Sequence, residues 1–443
     1  MIFRLRDYLF SPWAIKQARD RLEAAQSWTP EARRSWVQEQ LERNLEHAVR
    51  NVPWYRRTLG PHAARFPEMI ARLDLSELPL LTKEVVRSHF QELCADGHEQ
   101  YHTGTTETSG STGTPTRFLL DRESNIAQFA AIWRVLNWAG YRFGQRYADM
   151  TGYLPRNDGL AALDFRTNCL HLSSFNFKRE HMPEYVRLLR RFRPTFIKAY
   201  PSAIELFCRW LRELGIEDYH PPAVLTCAET LLDHQRQLVH EVLDCPIFDF
   251  YNQNERACLV STCAHGSYHI HEEYAFMELA PGPESGTRAI VATTFHNRAM
   301  PLIRYQTDDL AEPGGPGGGC ACGRTYATVG RIIGRVEDVV LTPDGRHVGR
   351  LDAAFKYSPG IRMSQVVQDD LQAIEVRVVP AADFSPADLD RLERELRARL
   401  GTSIGIRFRT VDEILPGKNG KVQFMVSNLA RSRRATGAMP PTG

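Results

Sequence analysis

The chain has 443 residues, a mass of 50.5 kDa and a formal net charge of +2. That length suggests about two to four domains, and a composition of 43% hydrophobic and 24% charged residues excludes a disordered or low-complexity protein. The near-neutral charge argues against a nucleic-acid partner or an anionic membrane. Apolar runs of about 18 residues, which could span a bilayer, are absent from the sequence, and the odd number of cysteines (nine) indicates reduced thiols. We therefore expect a cytoplasmic protein.

The first 95 or so residues are predicted to be helical. Thr29 precedes Pro30 and Glu31, and a hydroxyl cap, a proline in the first turn and an early acidic residue together predict a helix start. Thr82 offers a second cap, at the start of a shorter segment.

Strand-like and helix-like segments alternate in the middle of the chain. The strand-like runs cover 195–200, 223–227 and 246–250, and helix-like segments cover 203–214 and 233–243. This alternation predicts parallel βαβ units, whose ligands bind beyond the carboxyl ends of the strands. Polar clusters follow the three strands: Tyr200-Pro201-Ser202, Ala228-Glu229-Thr230 and Tyr251-Asn252-Gln253-Asn254-Glu255. We expect these clusters to contribute to one ligand site.

The sequence changes character after Gly334. A strand-like run over 373–379, an amphipathic helix from Ser385 to Leu400 and a strand-like run over 404–408 predict a small α+β domain. The predicted fold class is therefore α/β, with a large N-terminal domain over 1–333 and a small C-terminal domain over 334–443. A disordered tail is expected from about residue 430.

Residues 108–115 (TSGSTGTP) form the strongest local motif. Hydroxyl side chains and closely approaching glycine backbone N–H groups are the donors that phosphate oxygens need. The Gly-Lys-Ser/Thr sequence of a Walker A loop does not follow. A flexible Ser/Gly linker is the alternative, but structured sequence on both sides and the closing proline favour phosphate binding.

TSGSTGTP resembles the phosphate-binding loop of adenylate-forming enzymes, the superfamily of acyl-CoA synthetases, peptide-synthetase adenylation domains and luciferases. Four further blocks resemble its motifs in the same order: 251–255 (YNQNE), 304–310 (RYQTDDL), 334–338 (GRVED) and 420–421 (GK). Residues 51–55 and 78–83 are similar to the N-terminal region of phenylacetate–CoA ligase-like proteins. Residues 361–368 are similar to capsule-biosynthesis and coenzyme F390 synthetase relatives. The resemblance implies an ATP- and acid-binding N-terminal domain and a hinged C-terminal lid.

The resemblance also implies which residues bind ATP. The phosphate loop would comprise Thr108, Ser109, Gly110, Ser111, Thr112, Gly113 and Thr114. The rest of the nucleotide would contact Ala228, Glu229, Tyr251, Asn252, Asp309 and Arg335, with Tyr251 stacking on adenine and Asp309 binding the ribose hydroxyls. Asp308, which stands where the motif usually has glycine, is the open alternative to Asp309. Glu255 would bind Mg²⁺.

Lys421 is the implied catalytic lysine, acting with Glu255, because a mobile ammonium can stabilise the negative charge that develops on phosphate and carboxylate oxygens. Lys418 is the open alternative. The acid substrate is predicted to contact Tyr153, Tyr200, Pro201 and Ser202.

Three cysteines and a histidine predict a structural zinc site. Cys320 and Cys322 are separated by one residue, and Cys263 lies upstream with His265 and His269. Three thiolates and one imidazole close a tetrahedral Zn²⁺ site. The resemblance favours His269 over His265, and buried unpaired cysteines are the alternative.

The implied reaction is ATP-dependent activation of a small carboxylic acid to an acyl-adenylate with release of pyrophosphate, followed by acyl transfer. Coenzyme A is the first choice of acceptor, and an amine acceptor in an amide-forming ligase is the alternative. A catalytically degenerate binding or scaffold protein is the alternative from another class. A zinc-dependent nucleic-acid module is disfavoured by the charge. A homodimer is left open.

Overall fold

The computed structural model describes residues 12–101, 104–108, 116–151, 159–173, 178–283, 286–315, 320–335, 340–343, 347–348, 351–355, 360–415 and 423–429. The chain forms two compact units, each assembled from two stretches of sequence. The first unit combines Met1–Phe143 with Phe250–Ile332, and the second combines Gly144–Asp249 with Ile333–Gly443. The predicted domain boundary between residues 333 and 334 stays a prediction, and the predicted tail lies outside the described residues.

Helices occur in both units. Their bounds are α1 Pro12–Ala25, α2 Pro30–Asn51, α3 Pro53–Thr58, α4 Phe66–Arg72, α5 Lys83–Ser88, α6 Phe90–Leu93, α7 Arg122–Trp138, α8 Met182–Phe192, α9 Pro201–Glu213, α10 Asp233–Leu243, α11 Asp352–Phe355 and α12 Pro386–Leu400. Short 3-10 helices cover Gly60–Arg65, His98–Tyr101 and Arg179–His181.

Strands alternate with these helices in the middle of the chain and follow one another elsewhere. Their bounds are β1 Gly104–Thr108, β2 Thr116–Leu120, β3 Tyr147–Met150, β4 Ala161–Asp164, β5 Cys169–Leu172, β6 Ile197–Ala199, β7 Val224–Cys227, β8 Ile247–Asn252, β9 Leu259–Thr262, β10 Tyr268–Ile270, β11 Ala275–Pro281, β12 Arg288–Thr294, β13 Tyr305–Pro313, β14 Thr328–Arg335, β15 Val340–Leu341, β16 His347–Val348, β17 Ile361–Asp370, β18 Ala373–Pro380, β19 Gly405–Thr410 and β20 Met425–Ser427.

Both predicted helix caps are confirmed. Thr29 Oγ1 accepts a hydrogen bond of 3.2 Å from the backbone N–H of Ala32, and Thr82 Oγ1 accepts one of 3.3 Å from that of Val85. Each cap satisfies a backbone donor that the first turn of a helix leaves unpaired. The caps fix where α2 and α5 begin.

The first unit contains a mostly antiparallel sheet. Neighbouring strands run in the order β11-β12-β13-β14-β10-β9-β8, and β1 pairs with β2 as a separate hairpin. In the hairpin Glu107 lies opposite Arg117 and Thr108 opposite Thr116. The hairpin therefore holds Thr108, the first residue of the predicted phosphate loop, opposite Thr116, which follows the loop.

Buried charge ties the N-terminal helices to the rest of the first unit. Arg134 of α7 contacts Glu273 and donates to the phenol oxygen of Tyr326 at 2.9 Å. Arg33 of α2 lies over the Tyr326 ring, 3.8 Å from its centroid. Burying charge is costly unless the charges are paired, so these contacts fix α2 and α7 to the loops around residues 273 and 326.

The second unit contains the predicted parallel strands. Strand order is β7-β6-β3-β5-β4, and β6 pairs in parallel with both β7 and β3. One face of this sheet packs its apolar side chains against α8, α9 and α10 in a core that includes Ala148, Ile197, Ala199 and Val224. The sequence prediction of an α/β fold with βαβ units is thus confirmed.

A four-stranded sheet of order β19-β18-β17-β20 occupies the C-terminal part of the second unit, with α12 on its apolar core. Arg362 of β17 connects this part to α9, because its guanidinium contacts both carboxylate oxygens of Glu213 at 3.1 and 3.2 Å. The same guanidinium lies 4.3 Å from the ring centroid of Trp210. Among the described residues, no helix is both long and apolar enough to cross a membrane.

Candidate functional site

Glu255 has a buried carboxylate, and one of its two oxygens has no hydrogen-bond partner among the described residues. It follows β8, is 3% exposed, and its Oε1 accepts a hydrogen bond of 2.8 Å from the phenol of Tyr305 in β13. Within the described ranges its Oε2 has no hydrogen-bond partner. Burial raises the pKa of Glu255, and this effect outweighs the lowering by the Lys83 charge and the Tyr305 hydrogen bond. A buried carboxylate oxygen without a donor fits a cation ligand.

Tyr251 and Asp309 form a second pair in the first unit. The phenol of Tyr251, near the end of β8, donates to Asp309 Oδ2 at 2.6 Å. Burial, reinforced by the Asp309 charge, raises the pKa of Tyr251, so the phenol keeps its proton and remains a donor. The pair holds the Asp309 carboxylate in one orientation, as a ribose-binding acid requires.

Asp308 differs from Asp309 in backbone and partner. Its φ is 68°, in the left-handed region that favours glycine. Its Oδ2 lies 3.2 Å from Nζ of Lys83, which also donates to the carbonyl of Thr307. The backbone conformation explains why glycine suits this position in the resembling motif. Asp308 is thus paired with a lysine and Asp309 with a phenol, and the choice between them as the ribose-binding acid stays a prediction.

Ser202 and Glu229 come together in the second unit, as the sequence clusters predict. The backbone N–H and the hydroxyl of Ser202 donate to the two Glu229 oxygens, each at 3.0 Å. Ser202 lies in the first turn of α9 and Glu229 just after β7, while Ala228 adopts a left-handed φ of 68°. Both residues therefore lie at the carboxyl ends of parallel strands, where such sheets bind ligands.

The three cysteines and His269 form a four-residue cluster in the first unit. Their ligand atoms all lie within 4.8 Å of one another, with Cys263 Sγ 3.5 Å from Cys320 Sγ and Cys322 Sγ 3.4 Å from His269 Nε2. His265 is not a member of this cluster. Donor number, type and spacing fit a closed Cys₃His zinc site.

Burial lowers the pKa of His269 to about 4, so its imidazole is neutral and able to act as a ligand. Burial also raises the pKa of Cys320, but hydrogen bonds from Ser267 and Cys322 outweigh it and lower that pKa to about 7. Burial raises the pKa of Cys263 to about 11. Three thiols packed this closely with a neutral imidazole would all lose their protons to a bound divalent cation.

Several predicted site residues are not placed. Ser109, Gly110, Ser111, Thr112, Gly113, Thr114, Tyr153, Lys418 and Lys421 lie outside the described residues. Thr108 and Arg335 end β1 and β14, and only their backbone is described. Asn252 is the last residue of β8, and Tyr200 and Pro201 are buried at the start of α9. Asn254 donates to the carbonyl of Glu107 at 3.1 Å, which ties the segment after β8 to the base of the predicted phosphate loop.

Sequence reasoning missed Tyr305 and Lys83, which hold Glu255 and Asp308, and a buried Asp149–Lys198 pair in the second unit. One signal was present in the sequence. Lys198 interrupts the apolar run over 195–200, and a lysine in the middle of a buried strand needs a partner. The identity of each partner depends on strand register, which the sequence does not reveal.

Comparison with known proteins agrees with this geometry. Residues 340–428 match the family described as the CapK C-terminal domain. The chain is 29% identical over 324 residues to phenylacetate–coenzyme A ligase of Thermus thermophilus, covering 70% of this chain and 71% of that protein. It is 26% identical over 272 residues to protein CapK of Staphylococcus aureus, covering 59% of each, so that alignment spans less than two thirds of CapK.

A solved structure shares the fold. A 2-hydroxyisobutyryl-CoA ligase, crystallised in the postadenylation state with an acyl-AMP, superposes with a TM-score of 0.67 at 16% identity, covering 92% of this chain and 91% of the ligase. At that identity the likeness establishes the fold alone. The two relatives and the matching C-terminal family support the resemblance of this chain to phenylacetate–CoA ligase-like and CapK-like proteins, and the superposition shows that it shares the fold of an acyl-CoA ligase.

Proposed function

We propose that this protein activates a carboxylic acid with ATP, forms an acyl-adenylate with release of pyrophosphate, and then transfers the acyl group to coenzyme A. The observation that carries the proposal is the buried Glu255 carboxylate, whose Oε2 lacks a partner in the described part of the chain. The names of the relatives, phenylacetate–coenzyme A ligase among them, support the same reaction class.

The first step joins two anions, so the site has to neutralise charge. A substrate carboxylate oxygen attacks the α-phosphorus of ATP, the P–O bond to the β-phosphate breaks, and pyrophosphate leaves with the electron pair. Glu255 would hold Mg²⁺ through Oε2, and the ion, when bound, neutralises phosphate charge. Tyr305 keeps the carboxylate in place by donating to the other oxygen.

Nucleotide binding is assigned to the predicted loop and the Tyr251–Asp309 pair. Hydroxyl and backbone donors of residues 108–114 would bind the phosphates. Asp309, oriented by the phenol of Tyr251, would accept hydrogen bonds from the ribose hydroxyls. Ala228, Glu229, Asn252 and Arg335 complete the proposed nucleotide contacts.

Lys421 is the proposed catalytic lysine, with Lys418 as the alternative, on a lid comprising residues 334–443. Its ammonium would stabilise oxygens that gain negative charge as the acyl-adenylate forms. Gly334, at the predicted hinge, has a φ of 103°, a conformation that glycine adopts without strain. A hinge at this point would let the lid take one orientation for adenylation and another for acyl transfer.

In the second step a nucleophile attacks the acyl carbonyl carbon, the bond to the adenylate oxygen breaks, and AMP leaves. The thiol of coenzyme A is the proposed nucleophile. An amine acceptor, in an amide-forming ligase, is the alternative. Tyr200, Pro201 and Ser202, with Tyr153, are proposed to contact the acid.

Acid-dependent exchange of pyrophosphate into ATP tests the proposal. We expect exchange with at least one carboxylic acid in a panel of aromatic, aliphatic and hydroxylated acids, and loss of exchange in Glu255→Gln, which keeps size but not charge. A product assay with coenzyme A against simple amines then identifies the acceptor. Absence of exchange with every acid, together with no stabilisation by ATP, would establish a binding or scaffold protein instead.

We also propose that Cys263, His269, Cys320 and Cys322 hold a zinc ion. The role is structural, because four protein ligands complete the tetrahedral coordination and no position remains for water or substrate. The ion would link the turn between β9 and β10 to the segment around Cys320, two parts of the first unit that are far apart in sequence.

A further inference from the structure

Asp149 and Lys198 form a buried ion pair on adjacent parallel strands. Asp149 of β3 lies in register with Lys198 of β6, and Nζ of the lysine is 3.1 Å from Oδ2 of the aspartate. Their side chains are only 11% and 6% exposed. The desolvation cost of such a pair is comparable with its Coulombic gain, and replacement by apolar residues is often neutral or stabilising. Stability is therefore a weak reason for its presence.

The hydrogen bonds of this pair leave one of the three N–H donors of Lys198 without an acceptor among the described residues. Asp149 Oδ1 accepts from the backbone N–H of Thr151 at 2.8 Å and from the Thr151 hydroxyl. Lys198 donates to Asp149 Oδ2 and, at 3.2 Å, to Thr151 Oγ1. An ammonium carries three N–H donors, and the described residues supply acceptors for two. Leaving a buried donor unpaired is costly, so the third N–H needs an acceptor from outside the described residues, and a ligand can supply one.

The pair lies next to residues already assigned to the acid. Lys198 is two residues before Tyr200, and the charges of Lys198, Asp149 and Glu229 all act on the Tyr200 phenol, whose pKa burial raises to about 12. Neighbours of the pair in the strands, such as Ala148 and Ala199, face the apolar core under α8–α10. Because side chains alternate along a strand, Asp149 and Lys198 face the other side of the sheet.

A metal ion is a poor occupant. Asp149, Cys169 and His171 have ligand atoms within 4.8 Å of one another. The Lys198 ammonium, however, is bonded to the same carboxylate, and a second cation there would be repelled.

We propose that the Asp149–Lys198 pair selects the acid substrate by hydrogen bonding to a hydroxyl group remote from the reacting carboxylate. A hydroxyl is both donor and acceptor, so it can accept from the third N–H of Lys198 and donate to Asp149. The pair is neutral as a whole, so it suits an uncharged polar substituent better than a second carboxylate. This assignment rests on the proposed function and names its substrate class as hydroxylated carboxylic acids.

The test compares matched acids that differ by one hydroxyl group, at several ring or chain positions, in the pyrophosphate exchange assay. A site built to bond a hydroxyl rejects the analogue that lacks it. We expect the full-length protein to favour a hydroxylated member by about 10- to 100-fold in kcat/KM, the amount expected for hydrogen bonds to charged groups. The double variant Lys198→Met/Asp149→Asn removes both charges together, which avoids a lone buried charge, and should lose most of that preference while exchange with the unhydroxylated acid continues.

The control Arg209→Met/Glu205→Gln removes another partly buried ion pair of the same unit, whose N–O distance is 2.8 Å, and should leave the preference intact. A folded Lys198 double variant that keeps the wild-type preference would overturn the inference. If the double variant does not fold, the single variant Lys198→Arg takes its place. An unchanged preference for the hydroxylated acid in Lys198→Arg would also overturn the inference. Exchange without any preference for hydroxylated acids refutes this inference alone, whereas absence of exchange with all acids refutes the proposed function.

Discussion

The phenol of Tyr305 donates a hydrogen bond of 2.8 Å to Oε1 of the buried Glu255 carboxylate. Burial raises the pKa of this carboxyl group, and the Tyr305 hydrogen bond acts in the opposite direction. Tyr305 therefore favours the ionised form of Glu255, as the Lys83 charge also does, against the effect of burial. In the proposed function only the ionised form binds Mg²⁺, so the tyrosine is a positioning residue with an electrostatic effect.

Tyr305→Phe should move the acidic limb of the pH profile to higher pH. Removing the hydrogen bond removes an effect that lowers the pKa of Glu255, so the pKa rises further and the carboxylate is lost at a higher pH than in wild type. Activity well above this pKa should be retained. The measurement is kcat for pyrophosphate exchange as a function of pH. Tyr185→Phe is the control, because it removes a phenol that donates to the Ser173 carbonyl in the other unit, and it should leave the acidic limb of the pH profile in place. An unshifted acidic limb in Tyr305→Phe would contradict the role given to Tyr305.

Asp309→Ala should raise the KM for ATP by about 10- to 100-fold, the amount expected for loss of hydrogen bonds to a charged acceptor. Asp308→Gly is the matched control, since glycine adopts the φ of 68° without strain. The relief of backbone strain offsets the loss of the ion pair between Asp308 and Lys83. We therefore expect the free energy of unfolding to stay within about 1 kcal/mol of the wild-type value. A large rise in KM for Asp308→Gly with none for Asp309→Ala would reverse the assignment of the ribose-binding acid.

Lys421→Ala should reduce the rate of adenylation by about 100- to 1,000-fold, as expected when one group that stabilises developing charge is removed. Lys418→Ala, three residues earlier in the same segment, is the control and should retain near wild-type exchange. Single-turnover formation of the acyl-adenylate separates this step from acyl transfer. The opposite pattern would identify Lys418 as the catalytic lysine.

Cys322→Ser should release zinc and destabilise the first unit. Loss of one of four ligands weakens a site whose binding energy contributes to folding. Metal analysis of the purified protein should find about one zinc per chain in wild type and much less in the variant, together with a lower Tm. Cys94→Ser changes a buried thiol outside the cluster that donates to the Phe90 carbonyl at 3.3 Å, and a hydroxyl can keep that bond. Zinc far below one equivalent in wild type would rule the site out.

Helix starts and parallel strands were predictable from residues that lie close together in the sequence. Thr29 and Thr82 start helices because their side chains accept hydrogen bonds from backbone N–H groups in the next turn. At Ser385 the Asp388 carboxylate accepts from the Ser385 backbone N–H and hydroxyl. Alternating strands and helices between residues 195 and 250 predicted the parallel strands, because a parallel connection needs a crossover helix.

Pairings between distant residues were not predictable in the same way. Tyr305 and Glu255 are 50 positions apart, and Lys198 and Asp149 are 49 apart. The Lys198–Asp149 contact depends on the register of β6 and β3, and a shift of one residue would turn either side chain to the opposite face of the sheet. The Tyr305–Glu255 contact depends on how the segment after β8 lies against β13. The motif that contains Glu255 predicted a role for it, but its hydrogen bond with Tyr305 became visible only in the structure.

The interleaving of the two units has a consequence for synthesis on the ribosome. The first unit lacks its second stretch until residue 332 has been synthesised. The second unit begins at Gly144 and is completed by the sheet that ends with Ser427 and by the Arg362–Glu213 contact. Domains usually fold one after another as the chain emerges. In this chain the first unit stays incomplete while the 106 residues 144–249, which belong to the second unit, are synthesised. Residues of the first stretch that contact residues 250–332, such as Arg134 with Glu273, lack their partners during that interval, and an incompletely packed intermediate is prone to aggregate.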